Sequence, residues 1–214
     1  MFADIYVVIY ATVDGQTGHA ALAIDDYDII VKDTIIDGQK EYITDTVTNG
    51  GIIYFDLSAA DGNIKFSNMN KEHEPLYHKY PENGKRLTIK ELYFEGLPTK
   101  KVERRFDGLI RIKSDQLTDY QLTNYMNHLI DKKQPYHLFK YNCTDFVIDA
   151  LELIYDEKIR AKEFFLINNS NTPNKLFRKL QRLGKTKVLL DPKDKVKGSF
   201  FCQRILKKEK TKIE

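Results

Sequence analysis

Residues 135–147 run Pro135-Tyr136-His137-Leu138-Phe139-Lys140-Tyr141-Asn142-Cys143-Thr144-Asp145-Phe146-Val147, and the rest of the chain is read outward from them. Before Asn142 the residues are aromatic and polar with no sustained period. After it, Phe146, Val147, Ala150, Leu151 and Ile154 recur at helical spacing, which predicts a helix over 143–156. Cys143 therefore opens an amphipathic helix. A helix N-terminus carries free N–H groups and a partial positive charge, which favours thiolate over thiol. The same N–H groups can hold the oxyanion formed when a thiolate attacks an acyl carbon. The competing reading of Cys143 is a small buried hydrophobe.

A nucleophilic thiolate needs a base that takes its proton and later returns it to the leaving group. Thr17-Gly18-His19-Ala20-Ala21-Leu22-Ala23-Ile24-Asp25 offers one, because His19 opens a run of small and aliphatic residues and Gly18 and Ala20 leave space around the imidazole. The competing reading is a strand-end histidine satisfied by backbone. A carboxylate that accepts from the other ring nitrogen would fix the tautomer. Asp56, near the end of Ile52-Ile53-Tyr54-Phe55-Asp56-Leu57, is one candidate, and Asp45 and Asp25 are the others.

The first half of the chain reads as strands at 4–12, 19–25, near 28–33, near 41–47 and 52–57, with turns at Asp14-Gly15, Gly50-Gly51 and Asp61-Gly62-Asn63. Residues 63–85 are polar without a period and read as a long surface loop. Strands are expected again at 87–95 and 106–112. Helices follow at 115–132, 143–156 and 173–183, the last opened by Thr172-Pro173 and stopped by Gly184. Strands first and helices later predict a single α+β domain over 1–214, an antiparallel sheet carrying His19 and Asp56 and packed against the helix that begins at Cys143. The segments 63–85 and 157–172 are expected to shape the pocket.

Composition narrows the function classes. With 42% hydrophobic and 30% charged residues the chain is an ordinary globular sequence. The net charge of +3, from 34 basic against 31 acidic residues, is smaller than the clustered excess expected of a dedicated nucleic-acid binder. The basic excess sits in the tail, about 193–214, which reads as a solvated end and is compatible with an anionic membrane or cell-wall surface. Two cysteines, Cys143 and Cys202, are too few for a disulfide framework. No apolar run is long enough to span a bilayer. The N-terminal MFADIYVVIYATVDG lacks a basic n-region and reads as a first strand, so cytoplasmic residence and export with a signal already removed both stay open.

The order of these motifs resembles a known superfamily. Gly18-His19-Ala20 opening a strand, followed much later by Asn142-Cys143-Thr144-Asp145-Phe146 opening a helix, looks like the permuted branch of the NlpC-type papain-like hydrolases, in which the histidine strand precedes the cysteine helix. Asn142 to Phe146 is also similar to the Asn-Cys-Glu-His-Phe motif of lecithin:retinol acyltransferase-like enzymes, with Thr144 and Asp145 in place of Glu and His. Tyr136 resembles the tyrosine that precedes the cysteine in NlpC-type sites. The stretch from Ile53 to Leu57 resembles an aromatic-aromatic-Asp-Leu strand of permuted members, which favours Asp56 over its competitors. The resemblance covers three short motifs and leaves most of 58–134 and the last forty or so residues unmatched. It implies a permuted papain-like fold, catalytic Cys143, His19 and Asp56, and an oxyanion held by the Cys143 N–H with help from Asn142 or Tyr136. It also implies a peptide or lipid acyl substrate, with amide hydrolysis expected first and a lipid acyl hydrolase or acyltransferase as the alternative. No metal or organic cofactor is required.

Two readings from other classes compete. His73 and His78 with Glu72 and Glu74 could bind a metal, although they read as solvated loop residues and the chain has no paired cysteine spacing and no His-Glu-x-x-His. A binding module that keeps the fold without the chemistry is the other, and reactivity of the thiol discriminates it. Phosphate-loop and dinucleotide fingerprints are absent.

Overall fold

The computed structural model describes residues 3–12, 18–36, 39–62, 64, 67–81, 86–95, 105–165 and 168–193. The Asp14-Gly15 turn, parts of the 63–85 segment, and the basic tail after Lys193, Cys202 included, lie outside the described residues. The elements in chain order are β1 (Ala3–Tyr10), β2 (His19–Ile36), β3 (Gln39–Ala59), β4 (Pro75–Tyr80), α1 (Ile89–Phe94), β5 (Gly108–Ser114), α2 (Gln116–Lys132), α3 (Cys143–Tyr155), β6 (Lys162–Phe165), β7 (Asn168–Asn171), α4 (Pro173–Leu180) and β8 (Thr186–Leu190). Six strands form one antiparallel sheet in the order β4-β3-β2-β1-β5-β8, and β6 and β7 form a separate hairpin. The chain is thus mixed α and β, with an antiparallel sheet and, among the described residues, four helices.

Period-two alternation sorts the core into two layers. Ile5, Val7 and Ile9 of β1, Leu22 and Ile24 of β2, and Phe55 and Leu57 of β3 pack with Met126, Phe146 and Leu176 of the helices. Val8, Ala21, Ala23 and Tyr54 point the other way and pack with Leu92 of α1 and with Phe106. Both faces of the central strands are therefore buried, which is why β1 and the first part of β2 read as nearly unbroken apolar runs. Burying Phe146, Val147 and Leu151 completely is worth about 1.5–3 kcal/mol each relative to exposure, and it fixes α3 against β2 and β3.

Several expectations are corrected. The strands expected at 19–25 and 28–33 are one strand, as are those at 41–47 and 52–57; β2 and β3 form a long hairpin with a register shift between Asp25 and Tyr27. Gly50 is not in a turn between strands but inside β3, at a φ of 76° that glycine adopts without a Cβ penalty. The 63–85 segment is not a loop throughout, because β4 forms the sheet edge within it, opened by Pro75 where an edge strand tolerates proline. The stretch 87–95 is a helix rather than a strand. Thr88 caps it, accepting from the Glu91 N–H, while the Glu91 carboxylate accepts from the Thr88 N–H.

Candidate active site

The strand register assembles the polar part of the site. His19 opens β2 and shares a side of the sheet with Ala21, whose partner across β3 is Asp56; the partner of Asp56 across β4 is His78. Three residues far apart in sequence thus stand in a row across three adjacent strands. Asp56 is buried at 4% exposure and its two oxygens are divided among three donors. The oxygen Oδ2 lies 3.4 Å from His19 Nε2 and accepts from the Tyr54 hydroxyl at 3.2 Å, and Oδ1 lies 2.6 Å from His78 Nδ1. Burial by itself raises a carboxyl, but the hydrogen bonds from His19 and His78 outweigh it and hold Asp56 well below the ordinary carboxylate range. An ionised carboxylate only accepts, so His19 Nε2 and His78 Nδ1 carry the protons of these contacts.

His19 reaches its position because Gly18 lets the chain pass close to β1. A Cβ at residue 18 would lie 2.6 Å from both the Thr12 hydroxyl and the Tyr10 carbonyl oxygen. The Gly18 N–H donates to the Thr12 hydroxyl, and Thr12 is clipped to the first turn of α4 by Asn174, whose side chain accepts from the Thr12 N–H and donates to its carbonyl. The Tyr10 ring lies 5.9 Å from the imidazole.

Cys143 is the first residue of α3, 5% exposed and a free thiol. It meets His19 directly. Burial acts to lower the His19 pKa, yet the neighbouring Cys143 charge, supported by hydrogen bonding to Asp56, pushes it up to about 10. The row across the sheet therefore continues as Cys143, His19, Asp56, His78. The Cys143 N–H has no acceptor among the described residues, whereas those of Thr144 and Asp145 donate to the Asn142 side chain and that of Phe146 to the Asn142 carbonyl. A first-turn N–H without an intrahelical acceptor is open to donate a hydrogen bond to a bound oxygen.

A cavity of about 50 Å³ opens beside Cys143, and Gly18, Tyr136, Leu138, Glu163 and Ser170 are among the residues that line it. The segment 157–172 contributes through the β6–β7 hairpin. Tyr136 is fixed by backbone pairing with His73, and burial followed by the charge of Cys143 raises its phenol well above the ordinary range. Tyr136 thus brings a protonated phenol to the lining of the cavity.

Asn142 precedes Cys143 and caps α3. Its Oδ1 accepts from the Thr144 and Asp145 N–H groups, and its Nδ2 donates toward the Leu138 carbonyl, Ser170 Oγ and the Asn171 carbonyl. Both amide hydrogens have acceptors within the protein, so the side chain serves as the cap of α3, and Asn142 also lines the cavity beside Cys143. Asp145 completes the capping box by accepting from the Asn142 N–H. Of the three carboxylates weighed against His19, only Asp56 stands beside it. Asp45 pairs with Lys32 at 2.8 Å in the exposed part of the β2–β3 hairpin. Asp25 accepts from the Asp4 N–H, and burial pushes its carboxyl up to about 6.

His78 and His73 are not solvated. His78 is bound to Asp56, and His73 is buried between Asp61, at 3.0 Å, and the Asn68 carbonyl. Among the described residues no group of three or more histidines, cysteines or carboxylates is arranged to hold a metal. The sequence marks His78 only as a loop residue that could bind a metal, because the alternation of Tyr77, His78 and Tyr80 is a weak signal for the strand β4 that carries it to Asp56. No protein-family profile, curated protein or solved structure matches this chain.

Proposed function

We propose that this chain is a cysteine-nucleophile hydrolase of the permuted NlpC-type papain-like kind, cleaving amide bonds through a thioester acyl-enzyme. The observation that supports it most is the contact between Cys143 at the first position of α3 and an imidazole whose other nitrogen is held by a buried carboxylate. In this reading the Cys143 thiolate attacks the carbonyl carbon of the substrate. The Cys143 N–H and the Tyr136 hydroxyl hold the oxygen while it carries negative charge. The C–N bond breaks as the departing nitrogen takes the proton from the His19 imidazolium, leaving an acyl group on sulfur. Water then loses a proton to His19 and adds to the thioester, the C–S bond breaks, and a carboxylic acid and the starting thiolate are released. Asp56 keeps His19 Nε2–H oriented throughout.

The test is the rate of Cys143 alkylation by iodoacetamide as a function of pH, with Cys202 replaced by Ser, followed by intact-mass detection of acyl-enzyme on peptide amides and on lipid esters. The expected result is rapid alkylation near pH 6, slowed on the order of tenfold or more by His19→Ala, and an acyl adduct from peptides that Cys143→Ala abolishes. An adduct from lipid esters alone would move the substrate to the acyl-hydrolase alternative. Alkylation indifferent to His19 would leave a binding module.

A further inference from the structure

We propose that His78 is a positioning residue of this site, acting through Asp56 on His19. The inference rests on the Cys143–His19 reading above and adds a fourth member to it. The geometry is specific. A carboxylate with one partner can rotate about its terminal torsion, but Asp56 has a donor on each oxygen, His78 on Oδ1 at 2.6 Å and His19 with Tyr54 on Oδ2. The His78 contact is the shortest of the three. It comes from the directly opposed cross-strand position, so backbone pairing on both sides sets its distance. The His78 ring is in turn stacked near Tyr80, at 6.4 Å between centroids and 22° between planes, and only 12% of its side chain is exposed.

This geometry assigns a division of labour. His78 holds the Asp56 carboxylate plane, so that Oδ2 faces the β2 side where His19 stands. The 3.4 Å contact to His19 is long, and it is the one left to tighten when His19 gains or moves a proton. The titratable groups around Asp56 are His19 on β2, Tyr54 on β3 and His78 on β4, with Cys143 of α3 behind His19. His78 is outside the cavity lining and its hydrogen bond to the site is the one to Asp56, so it acts through Asp56.

The experiment compares His78→Asn, His78→Gln and His78→Leu in the full chain with Cys202→Ser, alongside His19→Ala. Asparagine places an amide N–H near the Nδ1 position, and glutamine places it near Nε2, away from Asp56. Two quantities are read, the pH profile of Cys143 alkylation and the NMR titration of the His19 ring. His78→Leu and His78→Gln are expected to slow alkylation near neutral pH on the order of tenfold and to move the His19 titration, whereas His78→Asn keeps both close to the parent. If His78→Leu does not fold, the Asn and Gln variants alone decide, and equal behaviour of the two overturns the proposal. An unchanged His19 titration in all three variants, with His19→Ala still slowing alkylation, refutes the His78 role and spares the Cys143–His19 pair. If His19→Ala leaves alkylation unchanged, the pair itself is refuted and the His78 role falls with it.

Discussion

His19 holds its proton far above the ordinary histidine range. An unfolded histidine titrates near 6.5, and in the folded chain the proton is held up to about 10, because Cys143 and Asp56 together overcome burial. The folded state binds this proton more tightly, so the stability it contributes is complete below about pH 6.5 and is lost as pH rises toward 10. Asp56 has the opposite sign: its contribution is present above about pH 3.9, and is lost as pH falls below that. The two groups together favour the folded state most between those limits. Cys143→Ser removes the charge that does most to raise His19 and leaves burial opposed by Asp56 alone. The His19 titration, followed by NMR of the ring, is expected to move down by about one to three units in that variant. A titration that stays in place would mean Asp56, not Cys143, holds the proton.

The elements explain what the motif around Cys143 is for. Asn142 and Asp145 look like neighbours of a nucleophile, yet their side chains cap α3 and tie it to the β6–β7 hairpin through Ser170 and Asn171. Asn142→Ala should therefore cost more than the roughly 1 kcal/mol of an exposed cap, since it also leaves the buried Ser170 hydroxyl short of a partner; about 2–3 kcal/mol is expected by chemical denaturation. Asn142→Asp keeps the acceptor for the helix N–H groups but puts a carboxylate against the Leu138 and Asn171 carbonyls, so it should rescue little. Full rescue by Asp would show that the cap alone matters. Legibility followed the same physics. Helices α2, α3 and α4 declared themselves by period and caps, and β1 by its apolar run. The helix α1 did not, because Leu87, Ile89 and Leu92 look as much like a strand as a helix over so short a stretch, although Thr88 and Glu91 carried the cap in plain view. The strand β4 stayed hidden because its inward residues are His78 and Tyr80 rather than aliphatics, and with it went the fourth member of the site.

At the scale of the whole molecule the chain separates into a packed body and a projecting ribbon. Beyond the register shift at Asp25 and Tyr27, β2 and β3 pair only with each other, over ten residues a side or about 30 Å. The ribbon is tied to α2 by the Tyr27 hydroxyl donating to Asp119 at 2.6 Å and by Gln116 donating to the Thr46 hydroxyl, while Asn49 links its two strands by donating to Asp26 and Asp28. Farther out its aliphatics are in water, Ile29 at 71% exposure and Ile35 at 76%. A two-stranded ribbon with one such face adds little to stability by itself, because its exposed aliphatics bury little apolar surface and its ties to α2 are a few polar contacts. The site, by contrast, is built from His19 at the start of β2 and Asp56 near the end of β3, the opposite end of the same two strands. Replacing residues 29–46 with Asn-Gly, a turn that matches the twist of the Asp28–Val47 pair, is therefore expected to leave the fold cooperative. The melting temperature should shift by no more than a few degrees, and Cys143 alkylation should be unchanged. Loss of Cys143 reactivity in a variant that still melts cooperatively would show that the ribbon reaches the site through the strands. Loss of the fold would show that the ladder beyond Asp28, and not the two core layers, holds β2 in register.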